Sequence, residues 1–413
     1  MSPAHPGILS FVSTLGFAIT ARSGSARAGI MRTPHGDIRT PAFIPVGTKA
    51  TVKAVLPESL RALGAQAVLA NAYHLYLQPG ADIIDEAGGL AAFMGWGGPT
   101  FTDSGGFQVL SLGAGFKKVL AMDSGYRDDD VIAEGKERLA RVDDDGVTFR
   151  SHLDGSEHRF TPEVSMRVQA AIGADIAFAF DELTTLNNTR SYQEIALERT
   201  RLWAERCLVE HAHLRASHPQ RPAQALFGVI QGAQYEDLRR RAARDIAAMD
   251  FDGFGIGGAI EKRNLAQIVT WVTEELPDDR PRHLLGIGEP GDLFAGVAAG
   301  ADTFDCVSPS REARNSAVYT STGRFNLTGS AHRRDFGPID ADCGCYTCTH
   351  YSRAYLHHAF KAKEMVSATL ATVHNLHFTV SLVDRMRVAL ESGDFDALRE
   401  EFLGRYYAGT ESA

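Results

Sequence analysis

Asp302-Thr-Phe-Asp-Cys-Val-Ser-Pro-Ser-Arg-Glu-Ala-Arg-Asn315 is the stretch whose reading decides the fold. It reads as a short buried strand that stops at Pro309, because proline cannot donate to a sheet ladder. Asp305 then sits near the C-terminal end of the strand, with Arg311 and Arg314 on the loop beyond. That arrangement suits attack on one atom of a phosphate-bearing substrate, although a lone strand-end aspartate is more often turn chemistry. Seven earlier segments have the same form: Ala42 to Val46, Ala67 to Asn71, Pro99 to Asp103, Asp175 to Asp181, Leu226 to Gln231, Gly253 to Gly257 and His283 to Gly288. Amphipathic stretches such as Tyr192 to His211 and Tyr235 to Met249 separate several of them, with apolar residues at helical spacing. Eight buried strands alternating with helices predict an α/β protein built as a (β/α)8 TIM barrel rather than an open doubly wound sheet. The polar residues favour the barrel. Asn71, Asp103, Asp181, Gln231, Gly257-Gly258, Gly288 and Asp305 each fall at the C-terminal end of a strand, the face on which barrel enzymes build their sites.

Working outward, residues 1–413 read as one barrel domain with three additions. Two alternating runs from Phe17 to Ile30, around Ser23-Gly-Ser-Ala, predict an N-terminal β-hairpin serving as a lid. Residues 111–165 are too long for a simple βα connection, so an insertion is expected after the third strand. Residues 318–375 form a second insertion, after the eighth strand. Net charge is −9, which argues against a protein that coats nucleic acid indiscriminately. Residues 310–363 nevertheless hold eight Lys/Arg against four Asp/Glu, a local phosphate-binding patch inside an acidic chain. The run Asp123 to Asp145 carries nine acids and four bases and reads as a solvated face. No window approaches the roughly 18 apolar residues of a membrane span. Ile8 to Ile19 lacks the basic flank of a secretion signal. Five cysteines, three of them within six residues, fit a reducing cytoplasm better than a disulfide framework.

Those three, Cys343-Gly-Cys345-Tyr-Thr-Cys348, are the strongest single signal of chemistry. Three thiolates and one imidazole make a closed tetrahedral Zn2+ site, structural because no coordination position stays open. His350, His357, His358, His374 and His377 are the possible fourth ligands, His374 lying in a helical stretch able to fold back over the cysteines. In Phe101-Thr-Asp-Ser-Gly-Gly-Phe-Gln108, two glycines let the backbone approach a planar ligand, Phe107 offers a face to stack on and Asp103 a proton acceptor. Asp181 and Gln231 add a carboxylate and an amide, groups able to read the edge of a purine-like heterocycle. Two carboxylates on different strands, Asp103 and Asp305, fit the nucleophile and acid/base of retaining glycosyl transfer. A sugar–base bond satisfies both features.

At this point the chain resembles the tRNA-guanine transglycosylases (queuine tRNA-ribosyltransferases), and the resemblance covers nearly all of it. It is carried by Phe101 to Gln108, Phe180-Asp-Glu182, Phe227-Gly-Val-Ile-Gln-Gly232, Gly286-Ile-Gly-Glu-Pro290, Phe304-Asp-Cys-Val307 and Ser352-Arg-Ala-Tyr-Leu-His-His358. The resemblance implies replacement of guanine at the wobble position of tRNA with a 7-deazaguanine, through a covalent intermediate on Asp305. It implies Asp103 as general acid/base. Ser104, Gly105, Gly106, Phe107, Asp181, Gln231 and Gly258, together with Asp103, would hold the base. Gly286, Ile287, Gly288, Glu289, Pro290, Gly291 and Asp292, with Ser310, Arg311, Glu312, Ala313 and Arg314, would contact tRNA. Cys343, Cys345, Cys348 and His374 would bind zinc, and the protein would be a homodimer. Leu183-Thr-Thr-Leu186 and Ala259 to Asn264 depart from the usual family pattern beside the pocket for the base's 7-substituent, which leaves 7-aminomethyl-7-deazaguanine and queuine both open. A non-catalytic partner subunit would not need both aspartates, a DNA-acting relative would not need Ser310 to Arg314, and a glycoside hydrolase would not need the zinc insertion.

Overall fold

In the computed structural model, residues 15–107 and 140–408 are described. Gln108, the acidic run up to residue 139 and the apolar segment before residue 15 lie outside them.

All eight expected barrel strands form: β4 (Ala42–Pro45), β5 (Val68–Ala70), β6 (Thr100–Thr102), β10 (Ile176–Phe178), β11 (Ala225–Ile230), β12 (Gly253–Ile256), β13 (Arg282–Leu284) and β14 (Thr303–Cys306). They are parallel neighbours in the order β4-β14-β13-β12-β11-β10-β6-β5. A parallel bridge between Val46 and Leu69, with the Gly47 N–H donating to the Leu69 carbonyl at 2.7 Å, joins β4 to β5 and closes the ring. Continuous burial of strands such as Ala225–Ile230 is what a parallel sheet covered by helices requires.

Proline sets the start of several helices around the ring. Pro57, Pro162, Pro290 and Pro309 each stand in a first turn, where the missing N–H has no partner to lose. This corrects one expectation. Arg311 and Arg314 ride on a short helix, Ser308–Arg314, instead of a loop, because Pro309 starts that helix rather than merely ending the strand.

The N-terminal hairpin is also larger than expected and sits elsewhere. β1 (Gly16–Ser23), β2 (Ala26–Thr33) and β3 (Gly36–Thr40) make a three-stranded antiparallel sheet. Arg27 on β2 is fully buried and pairs with Asp302, at 2.6 Å, just ahead of β14. His35 reaches Asp175, just ahead of β10, at 2.8 Å. The sheet therefore caps the N-terminal end of the barrel and is not a lid over the opposite mouth. Its third strand, Gly36-Asp-Ile-Arg-Thr40, buries one apolar side chain, Ile38, too few for alternation to reveal it.

After β6, the described part of the insertion is a second antiparallel sheet of β7 (Ala140–Asp143), β8 (Gly146–Arg150) and β9 (Glu157–Phe160). Its Asp143–Asp145 turn docks on the long helix Arg190–Ser217, where the Trp203 indole donates to the Asp144 carbonyl at 2.8 Å and Arg199 pairs with Asp144 at 3.0 Å. Phe149 packs tilted on Tyr73, with ring centroids 5.3 Å apart, so this sheet flanks the C-terminal mouth. Beyond β14 come a hairpin, β15 (Ala317–Thr320) and β16 (Gly323–Asn326), several short helices, and the 28-residue helix Met365–Ser392, which packs along the barrel.

Candidate active site and metal cluster

At the end of β14, Asp305 is held by one oxygen. Its Oδ1 accepts from the His283 ring at Nε2 (3.0 Å) and from the Gly286 N–H (3.0 Å), while Oδ2 meets no hydrogen-bond donor among the described residues. A carboxylate can only accept, so Nε2 carries the proton, and the Thr303 hydroxyl, 2.8 Å away, donates to Nδ1. His283 is fully buried between the rings of Phe101 and Phe178. Sequence reading passed over it, since a histidine in Arg282-His-Leu-Leu285 looks like any strand residue. The β13–β14 register, with His283 opposite Thr303, is what puts it under the acid.

Asp103 ends β6 and has a different setting. Its Oδ2 takes the Asn71 amide, and its Oδ1 takes the backbone N–H groups of Ala72 (2.9 Å) and Gly105 (3.2 Å). Asn71 also caps the helix Ala72–Leu77 through His74 N at 3.1 Å, so one side chain starts the helix and orients the acid. β14 and β6 are separated around the ring by β4 and β5, which places the two acids on different sides of one mouth.

Next to Asp103 the structure gathers most of the expected base-holding residues. The Ser104 hydroxyl donates to Asp181 Oδ1 (3.0 Å), and the Gln231 amide donates to Asp181 Oδ2 (2.6 Å). A Cβ on Gly106 would lie 2.8 Å from the Asp181 backbone carbonyl, which excludes a side chain there, and one on Gly258 would lie 2.7 Å from Gln231 Oε1 and displace it. Gly105 and Gly258 also hold φ of +81° and +97°, where residues other than glycine are strained. Phe107, the last described residue before the insertion, is 44% exposed among the described residues. Burial raises the Asp181 carboxyl to about 6, against the lowering pull of Gln231 and Ser104.

The expected tRNA-contacting segments divide by exposure. Arg311 is exposed and Arg314 half-buried, the latter tied to the Ser310 carbonyl at 3.0 Å. Ile287, Ser310 and Ala313 are buried, Ala313 completely, so the exposed surface of these segments is offered by their neighbours. The Glu289 carboxylate pairs with Arg324, Gly291 packs against Tyr407 and Gly288 against Cys306. Glu312 pairs with Arg324 at 3.0 Å, and burial raises the carboxyl of Asp292, beside Pro290 in the first turn of its helix.

Cys343, Cys345, Cys348 and His374 bring their ligand atoms within 4.8 Å of one another. His374 Nδ1 lies 3.7, 3.5 and 3.3 Å from the three sulfurs, against about 3.6 Å for the S–N edge of a tetrahedral Zn2+ site. Its Nε2 donates to the Tyr319 carbonyl at 2.6 Å, which fixes the tautomer and turns the Nδ1 lone pair toward the thiolates. The donor set fits a soft tetrahedral cation. Of the five histidines open from sequence, His374 alone enters the cluster; His350 bonds its own turn and His357 the Leu327 carbonyl.

Fold and site together define a class: a (β/α)8-barrel protein with two oriented carboxylates and a buried Ser104–Asp181–Gln231 cluster at its C-terminal strand ends, and a Cys3His cluster in the segment after β14. The family profile for queuine tRNA-ribosyltransferase matches residues 22–408. The queuine tRNA-ribosyltransferase of Moorella thermoacetica is 46% identical over 391 residues, 94% of this chain and 96% of that protein. Those of Pelotomaculum thermopropionicum and Symbiobacterium thermophilum are each 44% identical, covering 94% of this chain and 98% and 90% of themselves. The chain belongs to the queuine tRNA-ribosyltransferase family and is an enzyme of the pentosyltransferase class. No helix among the described residues is long and apolar enough to cross a membrane.

Proposed function

We propose that the protein exchanges guanine at the wobble position of GUN-anticodon tRNA for 7-aminomethyl-7-deazaguanine or queuine, a step of queuosine formation in the cytoplasm. Asp305 Oδ2 attacks C1′ of the nucleoside, the C1′–N9 bond breaks, and its electron pair leaves with the purine, which takes a proton from Asp103. The incoming base gives its N9 proton to Asp103 and attacks C1′, and the bond to Asp305 breaks. Two inversions give net retention and ping-pong kinetics. The observation that carries this reading is the one-sided tethering of Asp305, which leaves a single oxygen free to attack. Labelled guanine incubated with unmodified tRNA tests it: label must enter the tRNA, and each 7-deazaguanine must then chase it out. A tRNA-binding partner subunit without catalysis would bind the tRNA and incorporate nothing. Zinc, when bound by Cys343, Cys345, Cys348 and His374, supplies a cross-link and no chemistry. A homodimer completes the reading, supported by the surface run of Tyr346, His350, Tyr351 and Tyr355 rings on the zinc-bearing segment. Light scattering that returns the monomer mass would remove that part.

Two predictions arise here. His283→Phe removes the donor that holds Asp305 and is expected to lower kcat roughly 100-fold with tRNA affinity unchanged, a misplacement effect measurable in single turnover. His283→Gln, which keeps a donor, should recover part of it; equal losses in both would make the histidine structural only. The second concerns Asp181, raised to about 6. The ionised form accepts a hydrogen bond from the base, so KM for the base is expected to rise as pH falls below about 6, approaching tenfold per pH unit. The sign for stability is opposite. This folded-state value lies above the unfolded one, so protonation relieves the burial of charge, and the group's contribution improves as pH falls from about 6 toward 4. Asp181→Asn should flatten the KM profile over that range.

A further inference from the structure

Behind the turns that carry Gln231 and Gly258 lies a cation with no anion beside it among the described residues. Arg239, in the first turn of the helix Glu236–Ala247, is fully buried, and burial holds its guanidinium well below the usual arginine value, at about 9. Its partners are three backbone carbonyls: Ala233 on Nε (2.8 Å), and Gly257 (2.7 Å) and Ile230 (3.3 Å) on Nη1. Nη2 meets no acceptor among the described residues, and neither does Gln231 Oε1 meet a donor. Both atoms crowd the same spot, 2.9 and 2.7 Å from where a Cβ of Gly258 would be. An isolated buried charge is strongly destabilising, and natural cores keep one only where the surroundings use it.

The carbonyls it binds belong to the last residue of β11, the turn that follows it and the turn that follows β12, so the guanidinium ties the backbone on either side of Gln231 to the peptide before Gly258. The Gly257–Gly258 peptide is trans, hence its N–H points opposite to its C=O. With the Gly257 oxygen on Arg239, the Gly258 N–H faces away from the guanidinium, and no described residue accepts it.

We propose that Arg239 is a positioning residue that aims and polarises the Gly258 N–H at a carbonyl oxygen on the bound heterocycle, so that charge developing on that oxygen as the glycosidic bond breaks meets a donor backed by a full positive charge. This rests on the base-exchange reading above, with a 6-oxopurine-type base as ligand. Removing the cation leaves the peptide in place but weakens the donor, an effect of about tenfold or more for a charge-assisted bond.

The test compares guanine with 2-aminopurine, which lacks the 6-oxo group, by calorimetry on the full chain. Wild type should prefer guanine. Arg239→Gln, which keeps a donor for the carbonyls without the charge, should reduce that preference about tenfold, mainly by losing guanine affinity, while Arg239→Lys retains more of it. In wild type, isotope-edited infrared of guanine labelled at C6 should place the bound carbonyl stretch below its value in water. A stretch at or above the water value, or an unchanged preference in a folded Arg239→Gln protein, overturns the assignment. The infrared measurement needs no variant, so it decides even where both substitutions fail to fold. If wild type binds neither base, the base-exchange reading itself fails, which is a different result.

Discussion

Asp305→Asn is expected to lower guanine exchange into tRNA by about 10⁴-fold while leaving the fold and tRNA binding intact. Asparagine is isosteric, and its carbonyl oxygen can keep the two donors that now hold Oδ1, the His283 ring and the Gly286 N–H. Only the free oxygen changes, from an anionic nucleophile to a neutral amide nitrogen. The loss must therefore fall on the bond-forming step and not on substrate affinity. Trapping checks this most directly: enzyme and tRNA mixed without free base, then denatured, should give a tRNA–protein adduct in wild type and none in the variant. Asp103→Asn is a useful contrast, because both Asp103 oxygens already accept hydrogen bonds, from the Asn71 amide and from two backbone N–H groups, whereas one oxygen of Asp305 does not among the described residues. Label entering tRNA at the wild-type rate in Asp305→Asn would move the nucleophile elsewhere.

Cys345→Ser, or chelation of the native protein, is expected to remove one zinc per chain and lower the Tm by at least about 10 °C. Structural zinc sites contribute on the order of 10 kcal/mol in small peptides, and some of that is recovered here by the surrounding contacts. The loss should travel. His374 sits in the helix Met365–Ser392 beside Asn375, which donates to the carbonyls of Pro309 (3.1 Å) and Ala317 (3.0 Å) and accepts from Tyr319 N (3.1 Å). Those bonds fasten the helix Ser308–Arg314, so Arg311 and Arg314 lose their footing and tRNA affinity falls. Base binding should persist, because Asp181 and Gln231 stand at the ends of β10 and β11, on the barrel itself. A metal-free protein with unchanged Tm and tRNA affinity would show the cluster to be dispensable.

Most of the candidate site was readable because its chemistry is written in short local patterns. C-x-C-x-x-C needs no tertiary information to suggest a metal, and an acid closing an apolar run announces a strand end. The residues that were missed are those whose neighbours are remote in sequence. His283 becomes a partner of Asp305 through strand register, and Arg239 binds carbonyls beside two neighbouring strand ends. Arg239 in particular, inside Glu236-Asp-Leu-Arg-Arg-Arg241, is indistinguishable by composition from two neighbouring arginines that pair with surface acids.

The sequence by itself determined the barrel, the eight strands in order, the acids at their C-terminal ends and the three cysteines, because burial on both faces of a strand and thiolate spacing are both local properties. Tertiary structure alone decided that His283 holds Asp305, which end of the barrel the N-terminal strands cover, and which oxygen of Asp305 stays free. Each of these depends on bringing together groups tens to hundreds of residues apart, and no periodicity within either segment encodes where the other will lie.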